Sequence, residues 1–211
     1  MHPHAETLWR GPRWTLAILL AVLGMLGPFS IDTYLPAFSG IASSLNASPV
    51  HMQQTLSAYL FGFAFMNLFH GALADSFGRR PVILWGLMAF TLASLGCALA
   101  QNVTQLIVFR AMQGLSCGAG VVVSRAIVRD IFPPTQAQKV MSQITIFFGL
   151  APAIAPIMGG WLFVSLGWHS IFWLLTAIGL ALWAVNFKML PESLHASQRQ
   201  SFHPMHLMRG Y

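Results

Sequence analysis

The sequence contains only five acidic residues, and one of them, Asp32, stands inside an apolar stretch. A carboxyl group at membrane depth is costly and is therefore a functional candidate by default. Asp32 either carries a proton that it exchanges for a cationic molecule, or it caps a helix end near water, just before Pro36. We favour the first interpretation, because a buried carboxylate needs a partner and the sequence offers one.

Arg110 is that candidate partner. It lies near the start of another apolar run, about 10 Å below the membrane surface at about 1.5 Å of rise per residue. Gln113, one helical turn further, shares its face and supplies a neutral polar contact. The alternative is that Arg110 extends its charge to the membrane surface. The sequence does not decide whether Asp32 and Arg110 touch.

A second group of candidates occupies the turn at residues 71–81. It combines two glycines, an acid and two arginines, which are Gly71, Asp75, Gly78, Arg79 and Arg80. Glycines permit a tight turn, and Asp75 can form an ion pair with Arg79 that breaks and re-forms as helices move. The alternative, a turn that only retains positive charge on one side of a membrane, explains the arginines but not the glycines and the aspartate together.

A third group shares one helix face at spacings of three and four, and its members are Gly149, Pro152, Pro156, Gly159 and Gly160. Proline bends a helix, and small residues let a neighbouring helix approach closely. We expect a bent, tightly packed helix, which is either a gating element or a structural kink.

These residues are positioned by an unusually apolar chain. Hydrophobic residues make up 56% of the 211 positions and charged residues only 8%, whereas soluble domains have about 25% charged residues. Six apolar runs, at residues 14–36, 51–73, 82–100, 104–128, 140–164 and 168–190, are each long enough to cross a bilayer. We therefore predict an all-α integral membrane protein with a terminal segment 1–13, a six-helix bundle 14–190 and a tail 191–211.

The basic residues between the runs predict the orientation. With six crossings, one side of the membrane holds nine of them and the other side holds none: Arg10, Arg13, Arg79, Arg80, Arg129, Lys139, Lys188, Arg199 and Arg209. Positive charge is retained in the cytoplasm, so both termini are predicted to be cytoplasmic. Because these charges are scattered among apolar blocks, the net charge of +6 does not indicate nucleic-acid binding.

The sequence also contains an internal repeat with an offset of 89 residues. Four residues between the second and third runs recur between the fifth and sixth, where Gly71, Leu73, Ser76 and Gly78 correspond to Gly160, Leu162, Ser165 and Gly167. A unit of three spans is odd, so the second copy enters the membrane in the opposite direction. Inverted repeats of this kind characterise transporters.

No cofactor or metal centre is expected, and the chain does not resemble an enzyme. Two cysteines inside apolar runs exclude a four-thiolate site, and the eight histidines are dispersed. Four aromatic residues could line a cavity for cationic molecules or face lipid, and these are Tyr34, Tyr59, Phe61 and Phe65.

The motifs resemble those of the major facilitator superfamily, in particular the bicyclomycin-resistance branch of drug:proton antiporters. The segment 71–84 is similar to the cytoplasmic signature between its second and third helices, and 149–160 to the antiporter signature of its fifth helix. The segment 106–114 resembles the fourth-helix signature, whose arginine matches Arg110 and is associated with proton coupling. The segment 30–37 resembles the first-helix pattern, whose acid matches Asp32. The family pairs the acid and arginine that match Asp75 and Arg79 with a further acid, which matches Asp130.

The resemblance implies the amino-terminal six-helix half of a twelve-helix fold, made of two inverted three-helix repeats. It implies proton-coupled multidrug efflux across a bacterial inner membrane. The expected partners are the lipid bilayer, protons, a small amphipathic or cationic substrate, and a second half or a second copy of the chain. Two alternatives stay open: a truncated fragment without transport, and an exporter of a sugar or another metabolite.

Overall fold

Six long helical spans make up the described part of the chain. The computed structural model describes residues 9, 12–195, 197 and 199, and within these residues the regular structure is entirely helical. The stretches that are long and apolar enough to cross a membrane, numbered here as spans one to six, are Trp14–Ser44, Pro49–Phe77, Arg79–Ala98, Val103–Ile131, Pro134–Leu166 and His169–Met189. The prediction of an all-α, six-span membrane protein is confirmed. The terminal segments 1–13 and 191–211 lie largely outside the described residues.

The first span is longer than predicted and is interrupted near Asp32. An α-helix over Arg13–Asp32 is followed by a 3₁₀ turn at Leu35–Ala37 and a short helix at Phe38–Ser44. Pro36 marked the end of the predicted run, but it occupies the first turn of the 3₁₀ segment, where its missing N–H costs little. The interruption places Asp32 at a helix end within the span.

The internal repeat is visible in the backbone. The second span ends at Gly78 with φ of 104°, and the fifth ends at Gly167 with φ of 80°. These are the two glycines with positive φ in the described part of the chain, and each donates its N–H to a carbonyl four residues earlier, in Ala74 or Phe163. Left-handed backbone at a helix end favours glycine. The two turns are therefore structurally equivalent, as the repeat predicts.

One pair of helix contacts follows the same symmetry. The second span packs on the fourth, the first packs on the fifth, and the third packs on both the fourth and the sixth. In the repeat, spans one to three correspond to spans four to six. The contact between the second and fourth spans therefore corresponds to the contact between the fifth and first spans. The first span is the most enclosed. In an apolar 18-residue stretch of each span, 61% of the first span is buried, whereas 17% is buried in the second and in the fifth.

Glycines allow the closest helix contacts. A Cβ at Gly114 would collide with the carbonyl oxygen of Tyr59, and one at Gly159 with the carbonyl oxygen of Thr33. Gly160 lies beside Pro36, while no atom of the other described residues lies within 4 Å of the Cβ position at Gly149. Close packing of the fifth span on the first thus includes the contact at Gly159.

The fifth span runs as one helix over Pro134–Leu166 and includes both Pro152 and Pro156. Each proline removes one backbone hydrogen bond, but the helix continues past both. Gly159 and Gly160, which follow these prolines, lie against Thr33 and Pro36 of the first span, just after Asp32 in the sequence. The proline-containing helix therefore packs where the first span is interrupted.

Candidate functional site

An ion network closes one end of the bundle, here called the basic end because it holds Arg79, Arg80 and Arg129. The Arg79 guanidinium donates to the Asp75 carboxylate through Nη1 and to Asp130 Oδ2 through Nε, the latter at 3.1 Å. The side chain of Arg79 is only 9% exposed. Asp75 belongs to the second span, Arg79 to the third and Asp130 to the fourth, so the network ties three spans together.

Glu192, which follows the sixth span, caps the third span. Its Oε1 accepts a hydrogen bond from the backbone N–H of Arg79 at 2.9 Å, and its Oε2 accepts one from the N–H of Arg80 at 3.3 Å. The first N–H groups of a helix have no partner within the helix, and a carboxylate there is also favoured by the helix dipole. Gly78 leaves room for this carboxylate, because a Cβ there would lie 2.5 Å from Glu192 Oε2.

Further bonds hold the sixth span and the segment after it against this end. Arg80 donates through Nη2 to the Phe187 carbonyl at 2.6 Å, and its guanidinium lies 5.6 Å from the centre of the Phe187 ring. Ser193 donates to Asp130 Oδ2 at 3.0 Å. Glu192 and Ser193 were not predicted from the sequence, because more than 100 residues separate Glu192 from the N–H groups that donate to it and no spacing rule links them.

Replacement of Glu192 by Ala should destabilise the bundle by about 1–2 kcal/mol, since it removes the cap of two part-buried N–H groups. The measurement is the thermal unfolding of the purified chain in detergent. Arg199→Ala is the matched control, because Arg199 contacts the same carboxylate only at 3.9 Å and exposed ion pairs contribute little. Equal losses in the two variants would contradict the capping role.

A second polar cluster lies at membrane depth around Arg110. This residue is fully buried in the fourth span. Its Nη1 donates to Gln113 Oε1 at 2.7 Å, and Gln113 Nε2 donates to Ser94 Oγ in the third span, also at 2.7 Å. The carbon of the guanidinium lies 4.5 Å from the ring centre of Tyr34 and 4.3 Å from that of Tyr59. Arg110 therefore lies within the bundle and does not extend to its surface.

Both tyrosine rings are held by their hydroxyl groups. Tyr59 OH accepts from Ser30 Oγ at 2.7 Å and donates to the Gly27 carbonyl at 3.1 Å. Tyr34 OH is hydrogen-bonded to Thr55 Oγ1 at 2.5 Å. These bonds join the first span to the second around Arg110. Of the four aromatic residues considered in the sequence, Tyr34 and Tyr59 are fully buried, whereas Phe61 and Phe65 are 73% and 47% exposed.

Asp32 stands apart from Arg110. Among the described residues its carboxylate forms no ion pair within 4.0 Å and no hydrogen bond, and its side chain is half-buried. The possible Asp32–Arg110 contact is thus not formed. The physical reason is the helix geometry: residues two apart do not share a face, and Tyr34 is the residue of this segment that reaches Arg110.

These features define a multi-pass helical membrane protein with two equivalent three-span units, an ion network at one end and a buried arginine at membrane depth. The chain belongs to the major facilitator superfamily, whose family model matches residues 10–207. This membership assigns it to membrane transporters and not to enzymes. The resemblance deduced from the motifs is confirmed.

Similar proteins are named for drug resistance. The chain is 42% identical over 176 residues to a bicyclomycin resistance protein homolog of Haemophilus influenzae, covering 83% of this chain and 44% of the relative. It is 36% identical over 182 residues to the multidrug resistance protein MdtL of Escherichia coli, covering 86% and 46%. The chain thus spans about half the length of the curated relatives it matches.

Solved structures agree on the fold. A human organic anion transporter superposes with a TM-score of 0.68 at 22% identity, covering 92% of this chain and 52% of that one. A peptide transporter superposes with a TM-score of 0.76 at 16% identity, covering 98% and 46%. The six spans therefore match about half of a superfamily fold.

Proposed function

We propose that this chain forms one half of a proton-coupled exporter of small amphipathic or cationic molecules in a bacterial inner membrane, with both termini in the cytoplasm. One observation carries the proposal. Of the four acids in the described part of the chain, Asp75, Asp130 and Glu192 belong to the network at the basic end, and Asp32 alone has no partner. The drug-resistance names of the relatives support the substrate class.

An unpaired carboxylate within a span can hold either a proton or a cation. Competition between the two couples their movements, because binding of the cation requires release of the proton. Arg110 does not neutralise Asp32, so the carboxylate stays available to both. A half-buried position also leaves Asp32 partly accessible to each ligand.

The network at the basic end supplies the second part of the mechanism. Arg79, Asp75 and Asp130 link three spans at what we propose to be the cytoplasmic surface. Alternating access requires two helical units that rock against each other around a central site. This chain provides one unit, and the other is either a second half or a second copy. The network then acts as a latch that opens and closes as the units move.

The test is transport in membrane vesicles under an imposed pH gradient, with ethidium as the fluorescent cation. The chain is produced alone and together with the part of the Haemophilus relative that it does not match. Gradient-dependent movement of ethidium in either preparation supports the proposal, and movement with the chain alone would make a second copy the missing half. Correctly inserted protein without such movement in both preparations would contradict cation export and favour a fragment or an exporter of another metabolite.

A further inference from the structure

The charge of Arg110 is enclosed without a carboxylate. The residue has no exposed surface, and no acid among the described residues lies within 4.0 Å of it. Within the described part of the chain, its one hydrogen bond to a side chain is the bond from Nη1 to Gln113, and Nε and Nη2 have no hydrogen-bond partner. Removing a cation from water costs several kcal/mol, so the surrounding groups must stabilise this charge in another way.

The faces of two aromatic rings supply that stabilisation. An arginine within about 6 Å of a ring centre is attracted to the negative face of the ring, and more strongly where water is excluded. Both Tyr34 and Tyr59 meet this distance, at 4.5 Å and 4.3 Å, and both are fully buried. Their hydroxyls are hydrogen-bonded to the neighbouring spans, so the rings are held in position before any ligand arrives.

We propose that Tyr34 and Tyr59 are positioning residues that stabilise the Arg110 cation in place of a carboxylate. We call the pair the tyrosine clamp. Its consequence for Asp32, which rests on the proposed function, is that this acid is not required as a counterion and is left free for exchange. Tyr34 comes from the first span, Tyr59 from the second and Arg110 from the fourth. The stabilisation of the Arg110 charge therefore depends on how these three spans are placed relative to one another.

The test replaces residue 59 by Phe and by its mono-, di- and trifluorinated forms in the 211-residue chain. Fluorine withdraws charge from the ring face and changes its size little. The measurement is the melting temperature in detergent. We expect a stepwise fall that reaches about 2–4 °C for the trifluorinated ring, the size of the shift that loss of one such contact produces in a protein of this length.

Two controls separate the electrostatic role from packing. The same series at Phe90, which is fully buried and makes no cation contact among the described residues, should show no stepwise fall. The series at position 59 in an Arg110→Met chain should be flat. The clamp would be overturned if each added fluorine lowered the melting temperature equally at positions 59 and 90. It would also be overturned if the fall at position 59 persisted without Arg110. Because the readout is stability without a pH gradient, a negative result here leaves the export proposal standing, and failed export leaves the clamp standing.

Discussion

Replacement of Asp32 by Asn abolishes pH-gradient-driven export of ethidium and leaves insertion into the membrane intact. The variant keeps the shape and polarity of the side chain but cannot release a proton. Since Asp32 forms no hydrogen bond or ion pair with the other described residues, the fold loses nothing. The measurement is ethidium movement in vesicles that contain the chain and the remaining part of the Haemophilus relative, with the expected rate equal to that of vesicles without protein.

Asp75→Asn is the matched control for this experiment. Asp75 belongs to the ion network at the basic end, so its loss should slow turnover without removing the dependence on the pH gradient or changing which cations are moved. Gradient-driven export that persists in Asp32→Asn would exclude Asp32 as the coupling carboxylate. A change of substrate preference in Asp75→Asn would count against the latch.

A methyl group at Gly114 should cause a large loss of stability for so small a substitution. The Cβ of Gly114→Ala would collide with the Tyr59 carbonyl oxygen, and a backbone atom cannot move aside as a flexible side chain can. The second and fourth spans must therefore separate, at a cost of about 1–3 kcal/mol for overpacking. The same displacement moves the Tyr59 ring away from Arg110. Thermal unfolding in detergent measures the loss.

Gly149→Ala provides the comparison, because none of the neighbouring residues that the structure describes comes within 4 Å of the Cβ position there. Alanine is the better helix former by about 1 kcal/mol, so this variant should be unchanged or slightly more stable. If Gly114→Ala melted at the same temperature as the parent chain, the close contact between the second and fourth spans would be wrong.

The six spans could be predicted from the sequence because each apolar run of about 20 residues has essentially one stable arrangement in lipid, a helix that crosses it. The paired turns were also predictable, since glycines recur 89 residues apart at the ends of the second and fifth spans, and glycine permits the positive φ that both adopt. The extension of the first span to Ser44 was missed, because Pro36 usually marks a helix end and here begins a new turn.

The partners within the site could not be predicted in the same way. Opposite charges at similar depth suggested that Asp32 meets Arg110, but a shift of two residues along a helix decides which side chain faces a neighbour. That position is taken by Tyr34. Glu192 was missed for a related reason: its role depends on where the end of the sixth span meets the start of the third, and this is a result of packing.

The most direct test of the central claim is a measurement of proton release. Protein assembled from this chain and the remaining part of the Haemophilus relative is placed in a weakly buffered detergent solution, tetraphenylphosphonium is added, and the pH is recorded. Exchange of a proton for a cation at Asp32 predicts that the pH falls on addition and does not fall in the Asp32→Asn variant. Binding of the cation without any release of protons, or the same release in both proteins, would contradict the account.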